Sequence, residues 1–171
     1  MKYIGRSCIY FLLLFIFIFG YGNQTSGQEK VNISAGIGLP ELINIGVRYQ
    51  FKQVQAGICI GTVPLRDEKL LSISGDLYFH FGEVPELSAR RVWYAKAGLN
   101  YLSDEFNNSE DRWTYFNLRF GRDINISKKI GIEIDLGTLI QLSHKKIPPS
   151  TGWNLNFPIL PSFGINMFFR L

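Results

Sequence analysis

The sequence predicts an all-β protein, an eight-stranded antiparallel up-and-down transmembrane β-barrel. Three observations predict this fold. Apolar residues recur at every second position in eight segments, the apolar face of each segment core carries no charge, and aromatic residues make up 15% of the 171 residues. Successive side chains on a strand point to opposite faces, so each segment has one apolar face and one polar face. Segments of this kind are typical of strands that contact lipid.

The N-terminal segment has the pattern of a cleaved signal peptide. Lys2 and Arg6 precede an apolar run at residues 9–19. This run is too short for a membrane-spanning helix and suits the apolar region of an export signal. We therefore expect residues 1–27 to be removed on export and residues 28–171 to form one outer-membrane β-barrel domain.

The eight segments are each about as long as the roughly 9–11 residues that a tilted strand needs to cross the bilayer. Their number is even, as in bacterial single-chain barrels. The predicted strands cover residues 31–39, 42–51, 54–62, 70–81, 91–101, 113–122, 130–142 and 161–171. The apolar alternates that define them, in chain order, are Ile33, Ala35 and Ile37; Ile43, Ile45, Val47, Tyr49 and Phe51; Val54, Ala56, Ile58 and Ile60; Leu71, Ile73, Leu77, Phe79 and Phe81; Trp93, Ala95, Ala97, Leu99 and Tyr101; Phe116, Leu118 and Phe120; Ile132, Ile134, Leu136 and Ile140; and Phe163, Ile165, Met167, Phe169 and Leu171.

Two belts of aromatic residues are expected if both termini face the periplasm, because Tyr and Trp concentrate at membrane interfaces. The predicted interface aromatics are Tyr49, Phe51, Phe79, Phe81, Trp93, Tyr101, Phe116, Phe120, Phe163 and Phe169.

The connections alternate between the two ends of the barrel. Periplasmic turns are predicted at residues 52–53, 82–90 and 123–129, and outer loops at residues 40–41, 63–69, 103–112 and 143–160. Polar, proline-bearing outer loops are where a surface function would lie.

The polar face predicts a filled interior, because an eight-stranded barrel is only wide enough for its own side chains. Buried charges persist when they are paired. We therefore predict a closed core held by a lumen charge network of Arg48, Asp76, Lys96, Arg119, Glu133, Asp135 and Arg170.

Two groups contain the residue types of nucleophilic catalysis. Ser74, Asp76 and His80 share one face of the fourth strand, but residues two apart lie about 6–7 Å apart along a strand. A direct hydrogen bond along the strand is therefore not expected, and a lumen hydrogen-bond network is the simpler interpretation. Ser143 and His144 open the last outer loop, where no acidic residue is clearly placed beside them.

Other function classes find little support. Eighteen Lys and Arg against 14 Asp and Glu give a charge too balanced to indicate nucleic-acid binding. Removal of the export signal would leave Cys59 without a disulfide partner in the chain. The sequence contains no metal-ligand spacing, phosphate loop or dinucleotide motif, so neither a metal nor a cofactor is expected.

With these strands and the alternating final segment at residues 163–171, the chain resembles the small eight-stranded outer-membrane barrels of the OmpA/OmpX type. The resemblance implies a monomer in the outer membrane of a Gram-negative bacterium, surrounded by outer-membrane lipid. It also implies that the barrel assembly machinery recognises the final strand during insertion. Members of this group range from structural anchors to lipid enzymes, so the fold does not select a function.

A structural or surface-interaction role through the outer loops is therefore the predicted function, with a surface ligand or protein as partner and without enzymatic activity. Two alternatives stay open at this point. One is an outer-membrane lipid-modifying enzyme, an acyl hydrolase or transferase. The other is a soluble lipocalin-like carrier, which would have the two faces of every strand exchanged.

Overall fold

The computed structural model describes residues 30–64, 68–106, 109–147 and 158–171. The predicted signal peptide and residues 148–157 of the last predicted loop lie outside the described residues. Each described strand is antiparallel to its sequence neighbours, and β1 also pairs with β8, which closes the barrel. The predicted all-β fold, a closed eight-stranded antiparallel barrel, is therefore confirmed. The strands are β1 (Val31–Leu39), β2 (Leu42–Phe51), β3 (Val54–Pro64), β4 (Glu68–Phe81), β5 (Trp93–Phe106), β6 (Ser109–Asn125), β7 (Ile130–Ile147) and β8 (Ile159–Arg170).

The alternation of each strand is oriented with the apolar side chains outward. Leu136 and Ile58 are 69% and 70% exposed, whereas Arg119 and Glu133 on the other face are each 1% exposed. A soluble lipocalin-like carrier requires the opposite arrangement, with an apolar interior, so the structure overturns that alternative. All ten predicted interface aromatics lie on the outward face. Among the described residues, no helix is long and apolar enough to cross a membrane.

Strands β5, β6 and β7 extend beyond their predicted ends. The predicted outer loop at residues 103–112 is wrong, because β5 and β6 remain paired from Ser103–Arg112 out to Phe106–Ser109. The predicted loop beginning at Ser143 is likewise strand as far as Ile147. The alternation of outward apolar residues ends before these positions. Strand ends predicted from that alternation are therefore placed too early. A bulge between Thr114 and Tyr115 adjusts the register of β6 to β7.

The turn between β1 and β2 does not behave as the predicted surface loop. Glu41 is only 4% exposed, and its side chain enters the barrel. Gly61 on β3 makes room for this turn, because a Cβ atom there would collide with the backbone carbonyl of Glu41.

The opposite end is covered by the segment between β4 and β5. Residues 82–90 were predicted as a periplasmic turn and Val92 as part of the fifth strand. Arg90 is 5% exposed and Val92 is 9% exposed. The Val92 amide donates to the Glu83 carbonyl at 3.1 Å, and the Asp123 amide donates to the Val92 carbonyl at 2.7 Å. The segment therefore folds back under the barrel wall, and β5 begins at Trp93 instead of residue 91.

Candidate functional site

Arg119 is the centre of the lumen charge network. Its guanidinium bonds to Asp135 at 2.8 Å and to the Leu39 carbonyl at 2.8 Å, and it also pairs with Glu41. The side chain is fully buried. Three strands and the β1–β2 turn are thus joined through one cation.

Lys96 lies one strand away, at the register position paired with Arg119. Its ammonium group is 2.7 Å from Glu41 and 3.4 Å from Asp76. Glu41 therefore bridges two cations from neighbouring strands. Ser74 also donates to Asp76 at 2.9 Å, so the two carboxylates at this level each have more than one partner.

A second group connects the network across the lumen. Arg48 pairs with Glu133, a residue 85 positions later in the chain. The Arg48 guanidinium also lies 4.6 Å from the centre of the Tyr78 ring. The Tyr78 ring packs edge-on against the Tyr94 ring, with 5.5 Å between ring centres. The Tyr94 hydroxyl donates to Asp135 at 2.9 Å, and Asp135 in turn pairs with Arg119.

The end of the barrel below these groups is filled by a stack of cations and a ring. Phe168 is 1% exposed and has Arg90 on one side, 4.7 Å from the ring centre, and Arg170 at 4.6 Å. Arg90 pairs with Asp123 at 2.7 Å. Arg170 donates to the Lys128 carbonyl at 2.9 Å. Cation–π contacts of this kind strengthen when they are removed from water.

All seven predicted lumen charges are buried inside the barrel. Six of them form three ion pairs, which are Arg48 with Glu133, Lys96 with Asp76, and Arg119 with Asp135. The sequence analysis missed Glu41, Arg90 and Asp123. One signal pointed to Glu41, because the predicted lumen set contained more cations than acids and the first outer turn supplies an acid. Arg90 and Asp123 gave no such signal. Arg90 immediately precedes a predicted strand and Asp123 immediately follows one, so the two-residue alternation of the strands does not indicate where their side chains point.

The catalytic arrangement considered on β4 is not formed. Ser74 does bond directly to Asp76, so the expectation that no hydrogen bond runs along the strand was wrong; side chains that lean along the strand shorten the gap. His80 takes no part in that contact. Its Nδ1 lies 3.1 Å from the Arg91 carbonyl and 3.9 Å from Asp123.

The outer rim contains the acid that the sequence analysis did not find. His144 Nε2 is 3.0 Å from Asp111 Oδ1, and its ring stacks on Trp113 with 5.0 Å between ring centres. Ser143 is exposed. It lies on the other face of the strand, because adjacent residues point to opposite faces. The predicted Ser143 and His144 pair therefore cannot act together with Asp111 as a nucleophilic triad.

The outward face of this three-strand extension is polar. Glu110 accepts a hydrogen bond from Ser103 at 3.0 Å and two from Arg112 at 2.6 Å. The hydrogen bonds from Arg112 hold the pKa of Glu110 below its usual range. The apolar outward surface thus ends at Tyr101, and the extension beyond it is suited to water.

Neither a metal site nor a reactive thiol is evident in the part of the chain that the structure describes. No group of three or more His, Cys, Asp or Glu side chains there is placed to hold a metal ion. Cys59 is half-buried on β3, which is typical of a cysteine that acts as a small packing residue.

No family model matches the chain, and a comparison with curated proteins gives no significant match. Among solved structures, the chain is similar to the N-terminal β-barrel domain of Pseudomonas aeruginosa OprF. The TM-score is 0.60 at 18% sequence identity, and the match covers 85% of this chain and 100% of that one. The likeness confirms the eight-stranded barrel architecture expected from the sequence.

Proposed function

We propose that the protein is an integral outer-membrane β-barrel with a closed polar core and a structural or surface-interaction role. The observation that carries this proposal is the pairing of an apolar exterior with a charged, buried interior in a closed barrel. A closed barrel satisfies every strand hydrogen bond internally, which is the condition for crossing lipid with strands.

The distribution of outward charges supports a membrane-spanning band. A Lys or Arg facing lipid at the bilayer centre costs about 2–4 kcal/mol, and the cost falls towards the interfaces. Along the described strands, the outward positions that carry a charge lie near strand ends; they are Lys69, Glu105, Glu110, Arg112, Arg122 and Lys145. The middle of each strand presents only uncharged residues to its surroundings.

The two ends differ in a way that supports one orientation. The strand extensions and the polar hairpin of β5 and β6 lie at one end, which we assign to the outside. The start of β1 and the finish of β8 lie at the opposite end of the barrel. The two-residue connection between β2 and β3 lies there as well. Bacterial barrels have short periplasmic turns and longer outer loops.

The partners follow from this proposal. Lipid of the outer membrane surrounds the apolar band, the barrel assembly machinery inserts the chain, and the protein acts as a monomer. Lumen ion pairs span the full height of the barrel, from Glu41 at one end to Arg90 at the other. This filling leaves the outer extension as the surface through which a ligand or protein partner would bind.

Cell fractionation followed by gel electrophoresis in detergent without heating tests the proposal. We expect the protein in the outer-membrane fraction, and a mobility that changes on boiling, as a folded barrel unfolds. Purified protein in planar lipid bilayers should give no steady ion conductance, because the lumen is filled. A soluble periplasmic protein without a mobility change would overturn the membrane assignment, and a steady conductance would overturn the closed core.

A further inference from the structure

Besides Lys52 in the turn between β2 and β3, five exposed cations surround the end of the barrel that we assign to the periplasm. Lys30 precedes β1, Arg91 precedes β5, Arg122 lies on β6, and Lys128 and Lys129 lie in the turn between β6 and β7. We refer to these five residues as the basic rim. None of them forms an ion pair with a carboxylate in the described ranges. The exposed acids that the structure describes at this end are Glu83 and Glu86.

Two cations of the basic rim are held against the outer wall of the barrel. The Arg122 guanidinium lies 5.0 Å from the centre of the Trp93 ring, and the Lys129 ammonium group lies 5.9 Å from the Phe169 ring. Both rings are outward-facing and about two-fifths exposed. These charges therefore project sideways from the barrel and not into the solvent below it.

Apolar surface continues past one of these charges. On the outward face of β6, Arg122 follows Phe120 and precedes Ile124, and Ile126 is 58% exposed in the turn beyond. A cation set within exposed apolar surface suits a partner that brings both an anionic group and a hydrocarbon region.

We propose that the basic rim binds the phosphate groups of anionic phospholipids in the periplasm-facing leaflet, with phosphatidylglycerol as the representative lipid. The inference rests on the membrane-spanning function proposed above. A guanidinium donates paired hydrogen bonds to phosphate oxygens, and Lys129 supplies a second charge across the β6–β7 hairpin. The acyl chains then lie against Phe120 and Phe169, on the membrane side of the two charges, where they cover exposed apolar surface.

Quenching of Trp93 fluorescence by brominated lipid tests this proposal directly. The chain has three tryptophans, so a Trp113→Phe, Trp153→Phe background leaves Trp93 as the reporter beside Arg122. The folded protein is reconstituted in phosphatidylcholine bilayers that contain a fixed fraction of either brominated phosphatidylglycerol or brominated phosphatidylcholine. We expect a preference of about two- to five-fold for the anionic lipid, since each cation near a membrane surface contributes on the order of 1 kcal/mol.

Charge variants separate a specific surface from general attraction. Arg122→Gln with Lys129→Gln should abolish the preference, and Arg122→Lys should retain most of it. Lys69→Gln with Lys145→Gln is the matched control, because it removes two exposed cations from the opposite end and should leave the preference unchanged.

The possible results distinguish failure of the lipid site from failure of the membrane-spanning proposal. Equal quenching by the two brominated lipids in the reporter background, or equal loss of preference in both double variants, overturns the lipid site. Absence of quenching by brominated phosphatidylcholine itself would show that Trp93 does not contact lipid, and that result overturns the membrane proposal instead. Each variant is first checked for the mobility change on boiling, so a misfolded sample is identified before lipid is added.

Discussion

Arg119 illustrates how single residues hold the interior of this protein together. Its guanidinium bonds to carboxylates from a turn and a strand and to a backbone carbonyl. Burial of a charge costs several kcal/mol, and the contacts of a well-formed pair offset that cost. Removal of such a cation therefore strongly lowers the stability of the fold, because its carboxylate partners stay buried without a compensating charge.

Replacement of Arg119 by Met should destabilise the folded barrel by about 3–5 kcal/mol, since Glu41 and Asp135 would lose a buried partner. The measurement is the free energy of unfolding in urea, followed by tryptophan fluorescence in lipid vesicles. Lys69→Met is the control, because Lys69 is highly exposed and its 3.9 Å pair with Glu105 contributes at most about 1 kcal/mol. Similar losses for the two variants would contradict the assigned role of Arg119.

Two strand glycines, Gly61 and Gly75, differ in the space available for a side chain. Gly61→Ala should destabilise the barrel, because the added methyl group collides with the Glu41 carbonyl and displaces the turn. Gly75→Ala is expected to be tolerated, because a Cβ atom at this strand position has open space around it. The same unfolding measurement compares them, and a tolerated Gly61→Ala would show that the turn can move without loss.

The lumen charges were largely predictable, whereas their turn partners were not. Residues such as Arg48 and Glu133 lie on strands, where the two-residue period fixes the direction of every side chain. Glu41 lies in a two-residue turn, and no period applies there. Its position depends on the space that Gly61 leaves on a neighbouring strand, which is a tertiary effect.

At the scale of elements, the strands were predicted well only where they face apolar surroundings. The extension of β5 and β6 continues the backbone pairing, but its outward residues Ser103 and Arg112 are polar. Backbone hydrogen bonding does not depend on which side chains are attached. The pairing therefore continues beyond the end of the hydrophobic pattern from which it was predicted.

The β5–β6 extension should be dispensable for folding. Ser103 and Arg112 are paired across the hairpin, so an Asn-Gly turn in place of residues 104–111 can join them directly. We expect the shortened protein to retain the mobility change on boiling and to lose no more than about 1 kcal/mol of stability, because the His144–Asp111 pair is partly exposed.

The matched variant places the same Asn-Gly turn at residues 40–41. This change should destabilise the barrel strongly, because it removes the carboxylate that Lys96 and Arg119 share. Unfolding in urea compares the two turn variants. A larger loss for the shortened hairpin than for the turn at residues 40–41 would contradict the view that the core is held from the β1–β2 turn.

At the scale of the whole molecule, the proposed orientation makes a prediction about access from outside the cell. In a Cys59→Ser background, a cysteine at Lys145 should react with a membrane-impermeant maleimide on intact cells. A cysteine at Lys128 should react only after the outer membrane is opened, because the two exposed positions lie at opposite ends. If intact cells label the Lys128→Cys variant and not the Lys145→Cys variant, the barrel has the opposite orientation.

The pairing of β1 with β8 has a consequence for how the protein is made. Eight residue pairs join these strands, from Asn32–Arg170 to Leu39–Phe163, so the first strand to leave the ribosome finds its second partner only in the last. A chain that stops before Ile159 keeps two open strand edges, and each unsatisfied backbone group would cost several kcal/mol in lipid. If the protein is inserted in a membrane as proposed, a product of interrupted synthesis would not be stable in the bilayer, and insertion would select for molecules that contain β8.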